Sequence, residues 1–346
     1  MICWLSYCYY TTFIHMNNTF QGILVTEKEG SFSKEVQLIR LDALPKNDTL
    51  IRVRYSSLNY KDALSAAGNR GVTRTFPHVP GIDAAGTVVR SANSAWQEGE
   101  DVIVTGFDLG MNTWGGLGQY ISVPADWCIP LPKGLTMRDA MAYGTAGLTA
   151  GLCVNKLLRA GITPDKGPVA VSGATGGVGS ISLGILAKLG FDTVAITGKV
   201  DSTDYFTNTL GVNEIIDRAE FIDESKKPLL SARFAGAIDT VGGTVLTTLV
   251  RSLHYNGAVA ACGMAQSGDL AMTVFPFILK GISLLGVDSA LCDLDTRRLV
   301  WQHLATDWRP DHLTDVVTEI SLSDVAPVMD AMLAGKAQGR TVVKLY

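Results

Sequence analysis

Residues 169–179 read VAVSGATGGVG, an apolar run that ends in three glycines at three-residue spacing, Gly173, Gly176 and Gly179. The run predicts a buried strand, and residues 177–189 predict the helix that follows it. Glycine lets the chain turn sharply and approach a pyrophosphate closely, and the first N–H groups of the helix favour its negative charge. G-x-x-G-x-x-G alone is a weak signal, but between a strand and a helix it predicts a dinucleotide-binding turn.

Strands and helices alternate on both sides of this turn. Continuous apolar strands with helices between them indicate a parallel sheet covered on both faces, and six such strands match the doubly wound Rossmann sheet. A further helix is predicted near Thr203–Leu210. The predicted strands are Pro168–Ser172, Thr193–Thr197, Glu214–Ile216, Gly236–Thr240, Ala258–Cys262 and Ser283–Val287.

The chain before this region has a different pattern. Short alternating or β-branched runs are separated by Gly, Pro, Asn and Asp, which is typical of a β-barrel or sandwich. From Thr136, a predicted N-cap followed by Asp139, the pattern becomes small, apolar and helical. The predicted strands are Gly22–Val25, Val36–Leu41, Leu50–Tyr55, Ala84–Val89, Asp101–Thr105 and Gln119–Val123.

The tail contains a predicted helix, an amphipathic segment and a last strand, and we expect it to return to the first domain. These three elements are Thr296–Thr306, Val325–Leu333 and Arg340–Leu345. The predicted organisation is an N-terminal extension at 1–15, a catalytic β-domain at 16–140, an NADP-binding Rossmann domain at 141–290 and a return to the catalytic domain at 291–346.

Residues 1–15 differ from the rest because they are rich in aromatic residues and contain no Lys or Arg. They lack the basic region and the clear cleavage site of a secretory signal. We expect a non-essential extension with the fold starting after Met16, and an anchor or a partner-binding tail is the alternative.

Composition excludes several classes of protein. The 346 residues carry a formal net charge of -4, so there is no basic excess for nucleic acid. Six scattered cysteines without a C-x-x-C pair favour neither a zinc ribbon nor a disulfide scaffold, and a cytoplasmic location is expected. No uncharged apolar run reaches the roughly 18–20 residues of a membrane span, so no membrane partner is expected.

The end of the second Rossmann strand indicates which cofactor is bound. An NAD enzyme places an acidic residue there to hold the ribose 2′-OH, whereas this chain has Thr197, Gly198 and Lys199. A lysine with nearby hydroxyls suits a 2′-phosphate, which predicts NADP(H) rather than NAD(H). Lys199 taken alone is also consistent with a solvated surface lysine.

No metal is expected. The five histidines do not pair with Cys or Glu at ligand spacing; they are His15, His78, His254, His303 and His312. Without a metal, the feasible hydride acceptor is an activated one, namely a quinone or a C=C bond conjugated to a carbonyl.

Several long motifs resemble one family. The chain is similar to the medium-chain dehydrogenase/reductase superfamily, and within it to the zinc-free YhdH/YhfP-type quinone-oxidoreductase branch. The Gly-His-Glu segment of zinc alcohol dehydrogenases is replaced here by Pro80-Gly-Ile-Asp83. The motifs are SSLNYKD at 56–62, NRGVTR at 69–74, PGIDAAG at 80–86, GTAGLT at 144–149, TVFPFIL at 273–279, GVDS at 286–289 and QGRTVVK at 338–344.

This resemblance implies an α/β fold with a GroES-like β-barrel catalytic domain and a Rossmann sheet. It also implies a homodimer and the NADPH-dependent reduction of acrylyl-CoA to propionyl-CoA. Hydride adds to Cβ, an enolate forms, and Cα is protonated. A quinone reductase and a non-catalytic NADPH-binding protein remain alternatives.

Residue roles follow from this chemistry and from the resemblance together. Tyr60 is expected to contact the nicotinamide or to protonate Cα, and Asn59 to bond an acyl or carboxamide oxygen. The alternative for Tyr60 is a packed aromatic ring. Asp83 is either a titrating catalytic group or a buried structural carboxylate.

The predicted binding residues form two sets. Lys61, Arg70 and Arg74 are candidates for the phosphates of coenzyme A, and a solvated basic loop is the alternative. The residues predicted to bind NADP(H) are Tyr60, Thr149, Gly173, Thr175, Gly176, Gly177, Val178, Gly179, Thr197, Gly198, Lys199, Thr240, Val241, Gly263, Met264, Val287, Asp288, Ser289 and Arg340.

Overall fold

A computed structural model describes residues 18–311 and 313–346 of the chain. The predicted extension at 1–15 lies outside the described residues, as does His312. No helix in the described ranges is both long enough and apolar enough to cross a membrane.

The first part of the chain folds mainly into short strands, and each predicted strand overlaps an observed one. The strands are β1 (Thr19–Lys28), β2 (Ser31–Arg40), β3 (Thr49–Leu58), β4 (Asp83–Ser91), β5 (Asp101–Thr105), β6 (Tyr120–Val123) and β7 (Ile129–Pro130). Strands β1 and β2 pair as an antiparallel hairpin. Helix α1 (Tyr60–Ala66) begins two residues after β3 ends, so the end of β3 sets the position of its first turn.

Helix α2 (Met137–Arg159) connects the two halves of the molecule. The Thr136 side chain accepts a hydrogen bond from the backbone N–H of Asp139, which confirms the predicted N-cap. The helix is kinked at Gly144, whose backbone lies at φ 51° and ψ -152°. The predicted domain boundary between residues 140 and 141 falls inside this helix, close to the kink.

The second half contains the six-stranded parallel sheet. The strand order is 3-2-1-4-5-6 in order of appearance, which is that of a dinucleotide-binding sheet. Its strands are β8 (Val169–Ser172), β9 (Thr193–Thr197), β10 (Glu214–Asp217), β11 (Phe234–Asp239), β12 (Leu253–Ala261) and β13 (Ser283–Gly286). Its helices are α3 (Gly177–Lys188), α4 (Arg218–Phe221), α5 (Gly243–Arg251) and α6 (Phe275–Lys280).

The C-terminal segment returns to the first sheet. It comprises α7 (Leu294–Ala305), β14 (Val317–Ser321), α8 (Val325–Leu333) and β15 (Arg340–Lys344). The larger β-sheet has the order β14-β15-β3-β4-β5-β7, and β6 also pairs with β3. Because β15 is antiparallel to β3, with Thr341 opposite Leu58, the start of β15 lies beside the end of β3.

Some details differ from the sequence-based prediction. Strands β7 and β14 were not predicted: β7 has only two residues, and the five residues of β14 alternate poorly and are all exposed or half-buried. The helix predicted near Thr203–Leu210 is present from Thr203, and its residues Tyr205–Thr209 are π-helical rather than α-helical. The GroES-like and Rossmann architecture is confirmed, while the domain boundaries stay a prediction.

The kink in α2 gives a test of this packing. A Cβ atom on Gly144 would lie 2.3 Å from Asp83 Oδ2 and 2.5 Å from Ser57 Oγ. We expect Gly144→Ala to lower the free energy of unfolding by about 2 kcal/mol or more beyond the cost of its positive φ. Urea denaturation measures the difference.

Gly190→Ala is the matched control. Gly190 also has a positive φ, of 81°, but an added Cβ would meet nothing within 4 Å. We expect Gly190→Ala to lower the free energy of unfolding by only about 1 kcal/mol, the cost of holding a side chain at a positive φ. Equal losses in the two variants would show that the kink is not crowded.

Candidate active site

The glycine-rich turn packs tightly between β8 and α3. Gly173 has a φ of 61°, and a Cβ there would lie 2.1 Å from Thr240 Oγ1. A Cβ on Gly179 would lie 2.4 Å from the carbonyl oxygen of Gly173, so α3 approaches the strand at a distance that only glycine permits. Gly176 is the N-cap of α3, and the first N–H groups of a helix have no partner within it. The turn therefore fits a dinucleotide pyrophosphate.

Buried hydrogen bonds hold the ends of β8 and β11 together at the switch point of the sheet. Ser172 Oγ donates to Asp239 Oδ1 over 2.6 Å, and the N–H of Thr240 donates to Ser172 Oγ over 3.0 Å. Burial raises the pKa of Asp239. A Cβ on Gly263 would lie 2.4 Å from the carbonyl oxygen of Thr240, so the end of β12 also closes on this edge. Of the predicted residues here, Val241 is buried and Met264 is 74% exposed.

Three other predicted cofactor residues follow β13. The Thr149 hydroxyl on α2 donates to Ser289 Oγ over 2.8 Å, which fixes this loop to the long helix. The N–H of Val287 donates to the carbonyl oxygen of Ala261 at the end of β12. Asp288 accepts from the N–H of Ala290 and closes the turn.

A buried polar network lies where β3, β4, α2 and β15 meet, and Asp83 is at its centre. Asp83 Oδ2 accepts from Ser57 Oγ at 2.6 Å and from Asn59 Nδ2 at 2.7 Å. The backbone N–H of Thr145 donates to both carboxylate oxygens at 2.9 Å, and its hydroxyl donates to Oδ1. Arg340 Nη2 lies 3.9 Å from Asp83 Oδ2. Asp83 is 0% exposed and accepts hydrogen bonds from three other residues, an arrangement that suits a buried structural carboxylate; its role stays a prediction.

Arg340 is the cation of this network. Its guanidinium donates to the carbonyl oxygens of Ala142 and Leu58, to Asn59 Oδ1 and to Ser57 Oγ. Burial lowers the pKa of Arg340, and the nearby carboxylates of Asp83 and Asp62 oppose that effect.

The network also borders the cofactor turn. Arg340 Cδ would lie 2.9 Å from a Cβ on Gly177, so the arginine touches the first residue of α3. Each hydrogen bond of the Arg340 side chain goes to another residue of this chain. A direct contact of Arg340 with NADP(H) stays a prediction.

Asn59 and Tyr60 lie at the start of α1. Asn59 is buried, and it caps the helix in a reciprocal pair with Asp62. Its amide is oriented by Asp83 and Arg340 on opposite sides. Tyr60, the next residue, is 55% exposed. The network therefore fixes the residue before Tyr60 and leaves the phenol accessible.

The basic loop packs on the same helix. Ser65 and Thr73 share a 2.7 Å hydroxyl hydrogen bond, and the N–H of Asn69 donates to the carbonyl oxygen of Leu64. Arg70 is bound by Glu27, with Nη2 at 2.6 and 2.7 Å from the two carboxylate oxygens.

The other two basic candidates near this loop are free on the surface. The side chains of Arg74 and Lys61 are exposed, and neither makes a side-chain hydrogen bond or ion pair to the residues that the structure describes.

Two family models match the chain. Residues 45–133 match "Alcohol dehydrogenase GroES-like domain" and residues 177–305 match "Zinc-binding dehydrogenase". The putative quinone oxidoreductase YhfP of Bacillus subtilis is 43% identical over 331 residues, which cover 95% of this chain and 100% of YhfP. The chain belongs to the YhdH/YhfP-type family of medium-chain dehydrogenases/reductases.

A further relative and two solved structures are also similar to this chain. The probable acrylyl-CoA reductase AcuI of Escherichia coli is 42% identical over 94% of this chain and 99% of its own length. The YhdH oxidoreductase of Salmonella enterica, solved in complex with NADP, has a TM-score of 0.91 and 43% identity over 94% of this chain and 100% of that one. Bacillus subtilis YhfP was solved with NAD bound.

Zinc does not fit the donors that this family member presents. Across residues 18–311 and 313–346, no group of three or more His, Cys, Asp and Glu side chains could hold a metal ion. Asp83, in the segment that replaces the Gly-His-Glu of zinc enzymes, is saturated by hydrogen bonds from the protein. Metal independence stays a prediction for which elemental analysis is the measurement.

Sequence reasoning assigned no role to some members of the network. Ser57, Asp62 and Thr145 all lie inside the quoted motifs, yet each motif alone shows only a local pattern. Asp62 Oδ1 accepts from the N–H of Ile82 over 2.9 Å, a contact between residues 20 positions apart. The one signal in the sequence that could have indicated these roles is the presence of polar residues within segments predicted to be buried.

Asp62 gives a pH-dependent test. Burial, and then the negative charge of Asp83, raise the pKa of Asp62 from 3.8 to about 7. Between these values the folded chain binds more protons than the unfolded chain, so this group makes the free energy of unfolding fall as pH rises from about 4 to about 7. Above that range its contribution is constant.

We expect the free energy of unfolding of the wild type minus that of Asp62→Asn to be largest near pH 4 and to shrink toward pH 7. Taking the difference cancels the pH dependence of the other titrating groups, and the cost of disturbing the helix cap adds only an offset that does not vary with pH. Urea denaturation at a series of pH values gives both curves. A difference that is flat with pH would mean that Asp62 does not titrate in this range.

Proposed function

We propose that this protein is an NADPH-dependent reductase of a short 2-enoyl-CoA, with acrylyl-CoA as the substrate and propionyl-CoA as the product. The proposal is carried by the similarity to acrylyl-CoA reductases, at 42% identity over 92% and 94% of this chain. The exposed Tyr60 and the compact glycine turn supply the two features that such a reaction needs.

NADPH, when bound at the glycine turn, would supply the hydride that adds to Cβ of the enoyl group. Asn59, held by Asp83 and Arg340, orients its amide toward the start of α1, where a second amide hydrogen can bond the acyl oxygen. That bond stabilises the charge which develops on this oxygen as the enolate forms. Tyr60 delivers the proton to Cα of the substrate.

Quinone reduction is the second candidate, because YhfP, at 43% identity, is named a putative quinone oxidoreductase. A quinone is flat and uncharged, and it needs only an apolar slot beside the hydride donor. A CoA thioester also carries phosphates that must be bound outside the slot. The basic residues beside α1 should therefore matter for reduction of an acyl-CoA and not for reduction of a quinone. If the wild type reduced neither substrate, the remaining alternative, a non-catalytic NADPH-binding protein, would be favoured.

We propose that Lys61 and Arg74 contact the phosphates of coenzyme A. Both side chains are exposed and unpaired among the described residues, and both lie on or against the helix that begins at Tyr60. Arg70 lies beside them, but Glu27 neutralises its charge, and its Nη1 donates to the carbonyl oxygen of Arg74 over 2.7 Å. We assign Arg70 the role of shaping this loop.

Steady-state kinetics with acrylyl-CoA, crotonyl-CoA and a naphthoquinone tests both proposals. The wild type should have its highest kcat/KM with acrylyl-CoA. The double variant Lys61→Ala/Arg74→Ala should lower kcat/KM for acrylyl-CoA about tenfold, because each exposed phosphate contact is worth up to about 1 kcal/mol. Turnover of the naphthoquinone should be unchanged.

The matched control is Lys46→Ala/Arg90→Ala. Both residues are exposed and of the same charge, and they lie at the opposite end of β3 and β4. This variant should keep the wild-type kcat/KM for both substrates. If the test variant lost quinone and acyl-CoA turnover equally, the CoA-binding role of the loop would be wrong; a wild type faster with quinone would favour the second function.

We also propose a homodimer, joined along β13. Among the described strands, β13 is the edge of the parallel sheet and pairs with β12 alone. Helix α6 beside it exposes Ile278 by 73% and Leu279 by 55%. An unpaired edge strand beside apolar side chains suits a two-fold contact in which the same strand of a second copy extends the sheet.

Ile278→Glu should convert the dimer to a monomer, because it places a charge in the proposed contact. Light scattering after gel filtration measures the mass in solution. Lys226→Glu, an exposed change outside both α6 and β13, is the control and should remain dimeric. A wild-type monomer, or a dimer unaffected by Ile278→Glu, would reject the contact.

A cytoplasmic location is part of the same proposal. Cys128, Cys153, Cys262 and Cys292 are free thiols, which suits a reducing compartment.

A further inference from the structure

Arg297, in α7, joins the two sheets of the molecule. Its side chain is only 1% exposed. Nη1 donates to the carbonyl oxygen and to Oγ1 of Thr105, over 2.7 and 3.0 Å, at the end of β5. Nη2 donates to the carbonyl oxygens of Ser289 and Ala290, over 3.1 and 3.0 Å, in the loop after β13. One guanidinium therefore binds both a strand of the β-domain and a loop of the parallel sheet.

The two segments also meet directly beside this guanidinium. The N–H of Phe107 donates to the carbonyl oxygen of Ala290 over 2.9 Å, and a Cβ on Gly106 would lie 3.1 Å from Ala290 Cα. Arg297 Cζ lies 4.5 Å from the centroid of the Phe107 ring, and the same ring stacks on Trp127 with centroids 5.3 Å apart. Phe107 holds a φ of 52°, which is rare for an aromatic residue. The contact is therefore kept in spite of a backbone conformation that costs free energy.

Both segments border the candidate site. Thr105 is opposite Asp83 where β4 pairs with β5, so the end of β5 lies beside the Asp83 network. The loop that contains Ser289 and Ala290 leaves the carboxyl edge of the parallel sheet, the edge at which a dinucleotide binds in such sheets. Arg297 thus connects the strand beside the network to the loop that is expected to border the nicotinamide.

No neighbouring carboxylate balances the charge of Arg297. Its guanidinium forms no ion pair with any residue in the ranges 18–311 and 313–346, and burial lowers its pKa. Burying a cation among carbonyl and hydroxyl oxygens costs more free energy than packing an apolar side chain of the same volume. What an apolar side chain cannot supply is the set of four directed hydrogen bonds that holds the two segments at a fixed separation.

We propose that Arg297 is a positioning residue for hydride transfer, because it holds the loop after β13 at a fixed distance from the end of β5. This inference rests on the proposed function, since it places the nicotinamide and the enoyl group on opposite sides of this contact. In the reaction the enoyl group gains a hydride from C4 of NADPH at Cβ and a proton at Cα, and NADP⁺ is left.

The chemistry explains why an arginine would be used. Reacting atoms must approach to about 3–3.5 Å, and a displacement of about 1 Å can slow a reaction by roughly a hundredfold. The planar fork of arginine fixes two directions at once, whereas the ammonium of lysine is a single point of charge on a flexible stem. A change that keeps the charge and loses the fork therefore separates position from electrostatics.

Single-turnover kinetics distinguishes a positioning role from a role in folding alone. The protein, in excess over NADPH, is loaded with that cofactor and mixed with acrylyl-CoA in a stopped-flow spectrometer. The rate constant for the loss of NADPH absorbance reports the reaction, and the amplitude reports the fraction of active protein. We expect the rate constant of Arg297→Lys to fall about tenfold or more, with the amplitude retained and the dissociation constant for NADPH within about threefold of the wild type.

Arg251→Lys is the matched control. Arg251 is also a buried arginine of a helix, 8% exposed, but it contacts only the connection between β10 and β11. Its guanidinium donates to the carbonyl oxygens of Asp223, Ser225 and Lys227. This variant should lower the free energy of unfolding in urea and keep the wild-type rate constant. An equal fall of the rate constant in both variants would overturn the proposal.

The remaining outcomes also decide the question. A wild-type rate constant in Arg297→Lys would reduce the role to charge, and a loss of amplitude at an unchanged rate constant would make Arg297 merely structural; either result overturns the proposal. If the wild type oxidises NADPH with a naphthoquinone and not with acrylyl-CoA, the proposed function fails, and the same comparison with the naphthoquinone tests Arg297. A wild type that oxidises NADPH with neither acceptor would overturn both.

Discussion

The buried contact between Asp83 and Arg340 is the interaction on which the candidate site depends. Removing one member of a buried, hydrogen-bonded charge pair leaves the other without compensation, at a cost of about 3–5 kcal/mol. Here the pair also satisfies the amide of Asn59, the hydroxyl of Ser57 and the backbone at the kink of α2. A single pair therefore fixes the end of β3, the start of β15 and the direction of the long helix.

The architecture was largely predictable because its signals are local. Apolar runs between turn residues predicted strand β9 at Thr193–Thr197 and strand β5 at Asp101–Thr105 with their observed bounds, and Thr136 predicted the start of α2. Strand β14 was missed because its stability comes from pairing with β15 rather than from its own pattern.

The site was less predictable, because its decisive contacts are not local. The sequence shows that Asp83 is a carboxylate in an apolar segment, but the hydroxyls and the arginine around it come from three other elements. Asp62 shows the same limit: its contact with the N–H of Ile82 joins residues 20 positions apart, which residue spacing does not reveal. Propensity and motif reasoning thus found the elements that carry the site, and the tertiary structure identified which side chains meet.

The return of the chain to its first sheet has a consequence for biosynthesis. Arg340 and its partner Ser57 are separated by 283 positions in the chain. Domains tend to fold from the N-terminus as the ribosome delivers them. Until β15 has left the ribosome, the carboxylate of Asp83 has no cation to meet it, so the β-domain cannot settle into its final form. A nascent chain that has not yet reached β15 therefore carries an unmatched buried charge at the end of β3.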